Sequence, residues 1–295
     1  MISIAMATYN GESYIRKQID SILTQSIQDI ELVICDDCST DETWDILKDY
    51  ASKDNRVKIF RNKANLGFKR NFEKVIGLTH GDYVALCDQD DIWTPDHLDI
   101  LNNNISDKMI SAGNSDLVDS CGNIIGITLK ELEAFNIEYD NSLRLATSFL
   151  LFRNPIQGAA MLIKREFFNK ALPIPNDIKY HDAWFSVLSC FYGGLNYTDR
   201  VVTYYRMHHS NVTGHRIKKK SRMWFLIRCT IRRDMSIDRI TMIRTIRERI
   251  ENMSIDQHNL LNDCEKVLLR NRTIVGRLLN LFFRLRYFNS IYTTK

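Results

Sequence analysis

Strand-like and helix-like segments alternate through the first hundred residues, and this alternation constrains the fold more than any other feature. Each short, continuous apolar run precedes a segment whose apolar residues recur at helical spacing. The predicted strands are Ile2–Ala7, Glu31–Cys35, Val57–Phe60 and Tyr83–Cys87. Such alternation predicts an α/β fold of Rossmann-like type, with a mostly parallel sheet flanked by helices.

The rest of the chain gives weaker signals. Residues 106–155 show no assignable period, whereas 158–163 and 196–203 are predicted strands and 182–191 a predicted helix. From Lys218 onward the pattern is helical. We therefore expect a catalytic domain over residues 1–215 and a basic, amphipathic helical extension over 216–295.

Charge is distributed unevenly between these two regions. Residues 1–215 hold 21 Lys and Arg against 29 Asp and Glu, whereas residues 216–295 hold 19 against 7. A basic tail suggests an anionic partner. The acidic body and the lack of a base-reading motif argue against nucleic acid. The seven cysteines are an odd number, and the chain opens on a strand rather than a signal peptide, so we expect a reduced, cytoplasmic protein.

Polar clusters follow each of the first four predicted strands. They are Thr8–Asn10, Asp36–Asp41, Asn65–Asn71 and Asp88–Asp91. Ligands of such folds bind beyond the carboxyl ends of the strands, so these clusters predict one shared site.

Asp88, Asp90 and Asp91 place three carboxylates within four residues. Carboxylates gathered at a strand end repel one another and favour a hard cation such as Mg²⁺ or Mn²⁺, which commonly holds nucleotide phosphates. The alternative is a solvated acidic turn in which Asp91 caps a helix.

Taken together, the four clusters resemble the family 2 glycosyltransferases of the GT-A fold, over roughly residues 1–215. Those enzymes move a sugar from a nucleotide diphosphate to an acceptor hydroxyl with inversion at the anomeric carbon. The run Asp-Gln-Asp-Asp-Ile-Trp at residues 88–93 is similar to the branch that builds bacterial surface polysaccharides, which includes rhamnosyltransferases and hexosyltransferases.

The resemblance implies a nucleotide-sugar site at the strand ends. Thr8 and Asn10 would line the nucleotide pocket, and Asp37 would accept the imide hydrogen of uracil or thymine. Asn65 and Gly67 would form a loop that allows close backbone approach, although Gly67 is also compatible with an ordinary turn.

The same resemblance implies roles around the cation. Asp88 would contact the sugar nucleotide and Asp90 would bind Mn²⁺ or Mg²⁺ directly. In the run Tyr-Arg-Met-His at residues 205–208, Arg206 would neutralise diphosphate charge and His208 would complete the metal site.

Asp182 lies where the family keeps its general base, which an acceptor hydroxyl requires. The family usually has Glu-Asp there, and His181 replaces the Glu; the alternative for Asp182 is helix capping. Gly158, Asp91 and Trp184 are expected on the acceptor side.

These features predict an inverting, metal-dependent glycosyltransferase of bacterial surface-polysaccharide synthesis that uses a dTDP-sugar or UDP-sugar. A sugar nucleotidyltransferase is an alternative, but the residues after the first strand are not the glycine-rich, basic loop that a triphosphate needs. A non-catalytic scaffold of polysaccharide assembly is another.

The basic tail mixes Lys and Arg with bulky apolar residues at 218–227 and 277–286. This composition suits a helix in an anionic membrane interface. We therefore expect peripheral attachment to the inner face of the plasma membrane, near a glycan or polyprenyl-diphosphate-linked acceptor. Packing of the tail on the catalytic body or on a second subunit of a homo-oligomer is the alternative.

Overall fold

Four parallel strands form the first half of the sheet, as the alternation predicts. The structure is a computed structural model that describes residues 1–133, 141–152, 154–208 and 235–270. The four strands are β1 (Ile2–Thr8), β2 (Ile30–Asp36), β3 (Val57–Arg61) and β4 (Tyr83–Asp88). They pair in the order β3-β2-β1-β4, and all three of these pairings are parallel.

Helices connect these strands and cover them with apolar faces. They are α1 (Ile15–Leu23), α2 (Thr43–Lys53), α3 (Phe68–Gly77) and α4 (His97–Ile105). On α1, Ile15, Ile19 and Ile22 recur at helical spacing and are all 0% exposed. Burying each such side chain contributes about 1.5–3 kcal/mol, so the apolar faces fix the helices against the sheet.

The second half of the sheet is built differently. Its strands are β5 (Ile92–Trp93), β6 (Ile110–Val118), β7 (Ile124–Thr128), β8 (Met161–Lys164) and β9 (Leu195–Arg206). Within the described residues the full order is β3-β2-β1-β4-β8-β6-β9-β5, and β7 pairs with β6. β8 joins β4 antiparallel, β6 joins β8 antiparallel, and β5 joins β9 antiparallel. The predicted α/β fold class is confirmed.

Three predicted boundaries differ from the structure. The strand expected at 158–163 begins only at Met161, because Gly158–Ala160 forms a 3-10 turn. The helix expected at 182–191 is α8 (His181–Ser189), and the strand expected at 196–203 is the longer β9.

Contacts divide the chain into two compact units. The first contains the described residues of Met1–Leu129, Ile156–Pro173 and Asn196–Arg216, and the second those of Lys130–Pro155, Ile174–Leu195 and Ile217–Lys295. The units interleave along the chain, whereas the sequence suggests a single boundary at 215–216. That domain division stays a prediction.

The second unit is helical. Its helices are α6 (Ser142–Leu151), α8, α9 (Met235–Arg249), α10 (Ile255–Arg270) and most of the short α5 (Leu129–Glu133). The short helix α7 (Arg165–Ala171) lies in the first unit. α10 packs on α6 and α9. The predicted C-terminal helices are therefore present, and α9 and α10 belong to the body of this unit.

Buried side chains and polar contacts hold α9 and α10 in place. Ile243 and Ile246 of α9 and Leu261 of α10 are all 0% exposed. Arg247 Nη1 donates to Glu265 Oε2 at 2.5 Å, and Arg239 donates to the Phe152 carbonyl. No helix in the described ranges is both long and apolar enough to cross a membrane. The tail segments 218–227 and 277–286 lie outside the described residues.

Candidate active site at the carboxyl edge of the sheet

The carboxyl ends of β1, β2 and β4 bring the predicted polar clusters to one edge of the sheet. The pairing register places Thr8 beside Asp36 and Ala7 beside Asp88. Ala7 and Asp88, which are 81 positions apart in sequence, thereby become neighbours, because adjacent parallel strands end at the same edge. The structure confirms that these strand ends meet.

Asp37 organises the loop between β3 and α3. Its carboxylate is 2% exposed and accepts hydrogen bonds from Asn62 Nδ2 at 2.7 Å and from Leu66 N–H and Gly67 N–H at 2.8 Å each. Gly67 has φ of +79°, a conformation that favours glycine. Asp37 therefore fixes the position of Asn65–Gly67. Its burial leaves the carboxylate little surface for a base in this structure, so the nucleotide contacts of Asp37, Asn65 and Gly67 stay predictions.

Asn62 and its neighbours form a buried polar network beneath Asp37. Asn62 Oδ1 accepts from Lys74 Nζ at 2.5 Å, and Asn62 Nδ2 also donates to Asn71 Oδ1 at 3.0 Å. Asn71 Nδ2 donates to the Cys35 carbonyl at 2.8 Å. Sequence reasoning missed the roles of Asn62 and Lys74. The only feature of the sequence that could have indicated them is that one polar residue precedes the Asn65–Gly67 loop and the other follows it.

Asn10 joins the loops that follow β1 and β2. Its Oδ1 accepts from Thr40 N–H at 2.9 Å, and its own N–H donates to Ser39 Oγ at 2.9 Å. Ser39 Oγ in turn donates to the buried carboxylate of Asp36. Ser39 and Thr40 thus bond to the neighbouring loops, and neither caps α2, whose N-cap is Glu42.

Gln89 joins the acidic loop, residues 88–91, to the loop that follows β1. Its Oε1 accepts from Thr8 Oγ1 at 2.5 Å and from Tyr9 N–H at 2.8 Å, and its Nε2 donates to the Tyr9 carbonyl at 2.9 Å. A Cβ on Gly11 would lie 2.3 Å from Gln89 Oε1, so Gly11 leaves the space that this amide occupies. Sequence reasoning assigned Gln89 no role beyond its place in the run of residues 88–93.

Asp90 and His208 face each other across the site. Asp90 Oδ2 lies 2.7 Å from His208 Nε2, although the two residues are 118 positions apart. Asp90 is partly exposed, with 21% of its side chain accessible. The structure thus brings together the two residues that the sequence selects as metal ligands, because β9 ends two residues before His208.

Arg206 is a buried clamp on the acidic loop. It is 1% exposed, its Nε donates to the Asp90 carbonyl at 2.8 Å, and its Nη1 donates to the Ser120 carbonyl at 3.0 Å. A Cβ added at Gly122, whose φ is +96°, would lie 3.3 Å from Arg206 Nη1, so glycine at this position leaves space for the guanidinium. These contacts position the loop that carries Asp90, while direct neutralisation of a diphosphate by Arg206 stays a prediction.

Asp91 is 1% exposed, and its Oδ1 accepts the Arg206 backbone N–H at 3.0 Å, while its Oδ2 has no hydrogen-bond partner among the residues that the structure describes. Burial and the charges of Asp90 and Asp88 raise the pKa of Asp91 well above its usual range. Asp91 does not cap a helix, since the N-cap of α4 is Asp96. Its burial also leaves no side-chain surface for an acceptor in this structure, so the acceptor role stays a prediction.

The donor chemistry of this site fits a divalent cation. A carboxylate oxygen and an imidazole nitrogen suit Mn²⁺, and the Asp88 carboxylate lies two residues away at the end of β4. In the described ranges, however, no group of three or more His, Cys, Asp or Glu side chains is assembled that could hold a metal ion. Diphosphate and water oxygens would therefore have to supply the remaining ligands.

Asp182 lies in the first turn of α8, in the second unit. Its Oδ1 accepts from Ala183 N–H at 2.6 Å, and the N-cap of α8 is Tyr180, which makes no side-chain capping bond. The carboxylate thus bonds within its own helix turn, and its role as general base stays a prediction. Burial lowers the pKa of the neighbouring His181 to about 3, so this imidazole is neutral.

Two residues expected on the acceptor side are buried. Trp184 is 0% exposed, and the guanidinium of Arg249 lies 5.2 Å from the centre of its ring. Gly158 is buried in the 3-10 turn before β8. Neither presents an accessible surface in this structure, and their contact with an acceptor stays a prediction.

Comparison with protein families decides the class of the protein. The family model described as "Glycosyl transferase family 2" matches residues 3–169, which is more than half of the chain and includes Thr8, Asp37 and Asp90. The chain belongs to glycosyl transferase family 2. Asp182, Arg206 and His208 lie beyond the matched range, so their roles depend on the geometry and on the resemblance of their motifs.

Other proteins that are similar to this transferase, in sequence or in structure, agree with the family. The Escherichia coli protein WfaP, a UDP-Glc:alpha-D-GlcNAc-diphosphoundecaprenol beta-1,3-glucosyltransferase, is 27% identical over 223 residues, which cover 74% of this chain and 82% of WfaP. Residues 1–349 of S. aureus TarS, solved with UDP-GlcNAc, superpose with a TM-score of 0.62 at 16% identity, over 98% of this chain and 81% of TarS.

A third similar protein was solved with a metal ion. The Pyrobaculum calidifontis mannosyltransferase PcManGT, in complex with GDP-Man and Mn²⁺, superposes on the transferase with a TM-score of 0.57 at 16% identity. The superposition covers 97% of this chain and 75% of PcManGT. At these identities the structural likeness shows the fold alone, and the predicted GT-A fold is confirmed.

Proposed function

We propose that the transferase moves a sugar from a uracil or thymine nucleotide to a hydroxyl group of a glycan or lipid-linked acceptor, with inversion at the anomeric carbon. The observation that carries this proposal is the contact of Asp90 with His208, at the sheet edge where Asp37 organises the Asn65–Gly67 loop. The UDP-linked donors named for WfaP and TarS support a UDP-sugar, and dTDP-sugars such as dTDP-rhamnose remain in the same chemical class.

Each loop at the carboxyl edge of the sheet would contribute one function to donor binding. Asp37, held by the Asn65–Gly67 loop, would accept the imide hydrogen of the base, while Thr8 and Asn10 line the pocket. Asp88 would contact the sugar nucleotide. Asp90 and His208 would hold Mn²⁺ or Mg²⁺, which would offset the negative charge of the departing nucleoside diphosphate.

Asp182 would take the proton from the acceptor hydroxyl as the hydroxyl oxygen attacks the anomeric carbon. The bond between that carbon and the diphosphate oxygen breaks as the new glycosidic bond forms, and the configuration inverts. Arg206 would contribute by holding the Asp90 carbonyl and hence the position of the carboxylate.

The biological setting belongs to the same proposal. The named acceptor of WfaP, a diphosphoundecaprenol-linked sugar, supports a polyprenyl-diphosphate-linked acceptor and a role in bacterial polysaccharide synthesis. Such an acceptor would favour a cytoplasmic protein that rests on the anionic inner face of the plasma membrane. The family match favours transfer over the nucleotidyltransferase alternative, and a scaffold would require an inactive site.

The test is a panel of nucleotide sugars assayed for release of the nucleoside diphosphate and for transfer, with Mn²⁺, with Mg²⁺ and with EDTA. We expect one or more UDP- or dTDP-sugars to turn over with either cation and none to turn over in EDTA. Asp90→Ala should lose most activity while Asp99→Ala, on the outer part of α4, should not. Full activity in EDTA would remove the metal role, and pyrophosphate-dependent nucleotide exchange would favour the nucleotidyltransferase.

A further inference from the structure

The ring of Tyr14 contacts two of the residues that complete the site. It stacks on the imidazole of His208, with ring centres 4.9 Å apart and planes 23° from parallel. The guanidinium carbon of Arg206 lies 5.0 Å from the centre of the same ring. One side chain from the start of α1 therefore contacts both polar residues at the end of β9.

The backbone holds Tyr14 in a fixed place. Tyr14 is the N-cap residue of α1, and its N–H donates to the Gly11 carbonyl at 3.0 Å. Gly11 N–H donates to Thr43 Oγ1 at 2.8 Å, and Gly11 packs closely against Gln89. The ring is thus carried by the same loop that Gln89 fastens to the acidic motif.

Backbone hydrogen bonds hold the chain end that Tyr14 contacts as far as Met207. β9 ends at Arg206, and the following residue is held by a hydrogen bond from Met207 N–H to the Val118 carbonyl at 2.8 Å. His208 must nevertheless keep its imidazole nitrogen at hydrogen-bond distance from Asp90. An aromatic ring attracts a guanidinium through its π face and limits the rotation of a stacked imidazole.

We propose that Tyr14 is the positioning residue of the cation site, where its ring aligns His208 and Arg206 so that both meet Asp90. This inference rests on the proposed donor and cation site. It assigns the effect to the ring rather than to the phenol oxygen, because both contacts are made by the ring. Tyr14→Phe therefore keeps the function, and Tyr14→Leu removes it while retaining an apolar side chain.

The matched control is Tyr50→Leu. Tyr50, on α2, is also half-buried and also contacts α1, through a hydrogen bond from its hydroxyl to Asp20 Oδ1 at 2.6 Å. It lies on the helical side of the fold, away from the acidic loop. Loss of Tyr50 thus reports the general effect of removing a tyrosine that packs on α1.

Two measurements on the full chain test the proposal. The first is hydrogen exchange of the metal-free protein, followed at the Arg206 and Met207 amides, which donate to Asp91 Oδ1 and to the Val118 carbonyl. The second is calorimetric titration of Mn²⁺ in the presence of UDP. In both, Tyr14→Phe, Tyr14→Leu, Tyr50→Leu and His208→Ala are compared with the wild type, together with their melting temperatures.

We expect Tyr14→Leu to exchange these two amides about tenfold faster and to bind Mn²⁺ about tenfold more weakly, the scale of a partly desolvated cation–π and stacking contact. Tyr14→Phe should stay within about twofold of the wild type, and Tyr50→Leu should change neither quantity. Wild-type values for Tyr14→Leu overturn the proposal, as does equal weakening by Tyr14→Phe or by Tyr50→Leu.

The outcomes separate this inference from the function on which it rests. If His208→Ala weakens Mn²⁺ binding and Tyr14→Leu does not, only the role of Tyr14 fails. If the wild type binds no Mn²⁺, the proposed cation site fails, and the exchange of the two amides alone decides whether Tyr14 orders the end of β9.

Discussion

Asp37→Asn is the substitution whose effect the structure defines most closely. The carboxylate accepts three hydrogen bonds, two at Oδ1 from Asn62 and Leu66 and one at Oδ2 from Gly67. An amide oxygen can replace Oδ1, but the amide NH₂ then faces the Gly67 N–H, and two donors oppose each other. In the reverse orientation the NH₂ faces two donors, so at least one bond to a charged acceptor is lost.

The size of the effect follows from the loss of that bond. A hydrogen bond to a charged group contributes about 1.5–3 kcal/mol, and Asp37 is too buried for water to replace it. Gly67 N–H keeps a second acceptor, Asn65 Oδ1 at 2.9 Å, which favours the lower half of this range. We therefore expect Asp37→Asn to destabilise the Asn65–Gly67 loop by about 1.5–2 kcal/mol.

The assay is amide hydrogen exchange at Leu66 and Gly67 in the protein without ligand. Exchange should become about tenfold faster or more, since each 1.4 kcal/mol corresponds to a factor of ten. UDP should also bind more weakly, because the loop and the proposed base contact are lost together. The control is Asp45→Asn on the exposed face of α2, which should leave both amides unchanged. Wild-type exchange rates in Asp37→Asn would refute the reasoning.

Three further predictions concern other parts of the chain. Asp182→Asn should retain nucleotide binding and lose about 10²-fold or more in turnover, and wild-type turnover would remove its role as base. Because burial lowers the pKa values of His97 and His181 to about 3, the unfolded chain binds more protons than the folded chain below pH 6.5. The free energy of unfolding, measured with urea, should therefore be highest above pH 6.5 and should fall by up to about 1.4 kcal/mol for each unit of decreasing pH and each imidazole. Equal free energies of unfolding at pH 7 and pH 5 would contradict this. The full chain should co-sediment with anionic vesicles and not with neutral ones. Binding to anionic vesicles should weaken in a chain that ends at Arg270 and in a chain with glutamine at four basic positions, and undiminished binding by both variants would remove the membrane role. Those four positions are Lys218, Lys219, Lys220 and Arg222.

The parallel half of the fold was predictable because β1, β2 and β4 are buried on both faces over most of their length. The predicted strand Tyr83–Cys87 differs from β4 by one residue, and Ile2–Ala7 differs from β1 by one residue. Buried parallel strands give continuous apolar runs, and the polar residues that end them mark the edge of the sheet. The candidate site at the strand ends followed from the same pattern.

The antiparallel half was not predictable in the same way. β6 buries the polar side chains Ser111, Asn114 and Ser115, so residues 106–155 show no apolar period. Ser115 Oγ, for example, donates to Gln157 Oε1 at 2.6 Å, a contact between distant positions. The order of strands that brings β9 to the site depends on such long-range pairing, which local patterns do not encode.

Two of the site residues that sequence reasoning missed act through shape or through the backbone. Tyr14 contributes a ring from the start of α1, and Ser120 contributes only its carbonyl oxygen to Arg206. Every residue has a backbone carbonyl, so the identity of Ser120 does not indicate this contact, and a tyrosine at the start of a helix is compatible with many roles. The buried state of Arg206 and Trp184 likewise depends on the packed structure rather than on their motifs.

The central claim is that Asp90 and His208 hold a divalent cation against the diphosphate of a bound nucleotide. The most direct measurement is the anomalous scattering of Mn²⁺ in crystals of the full chain grown with UDP and Mn²⁺. We predict one strong peak within coordination distance, about 2–2.3 Å, of both an Asp90 carboxylate oxygen and His208 Nε2, and in contact with the UDP phosphates. UDP bound with no such peak, or with Mn²⁺ coordinated away from these two residues, would contradict the claim.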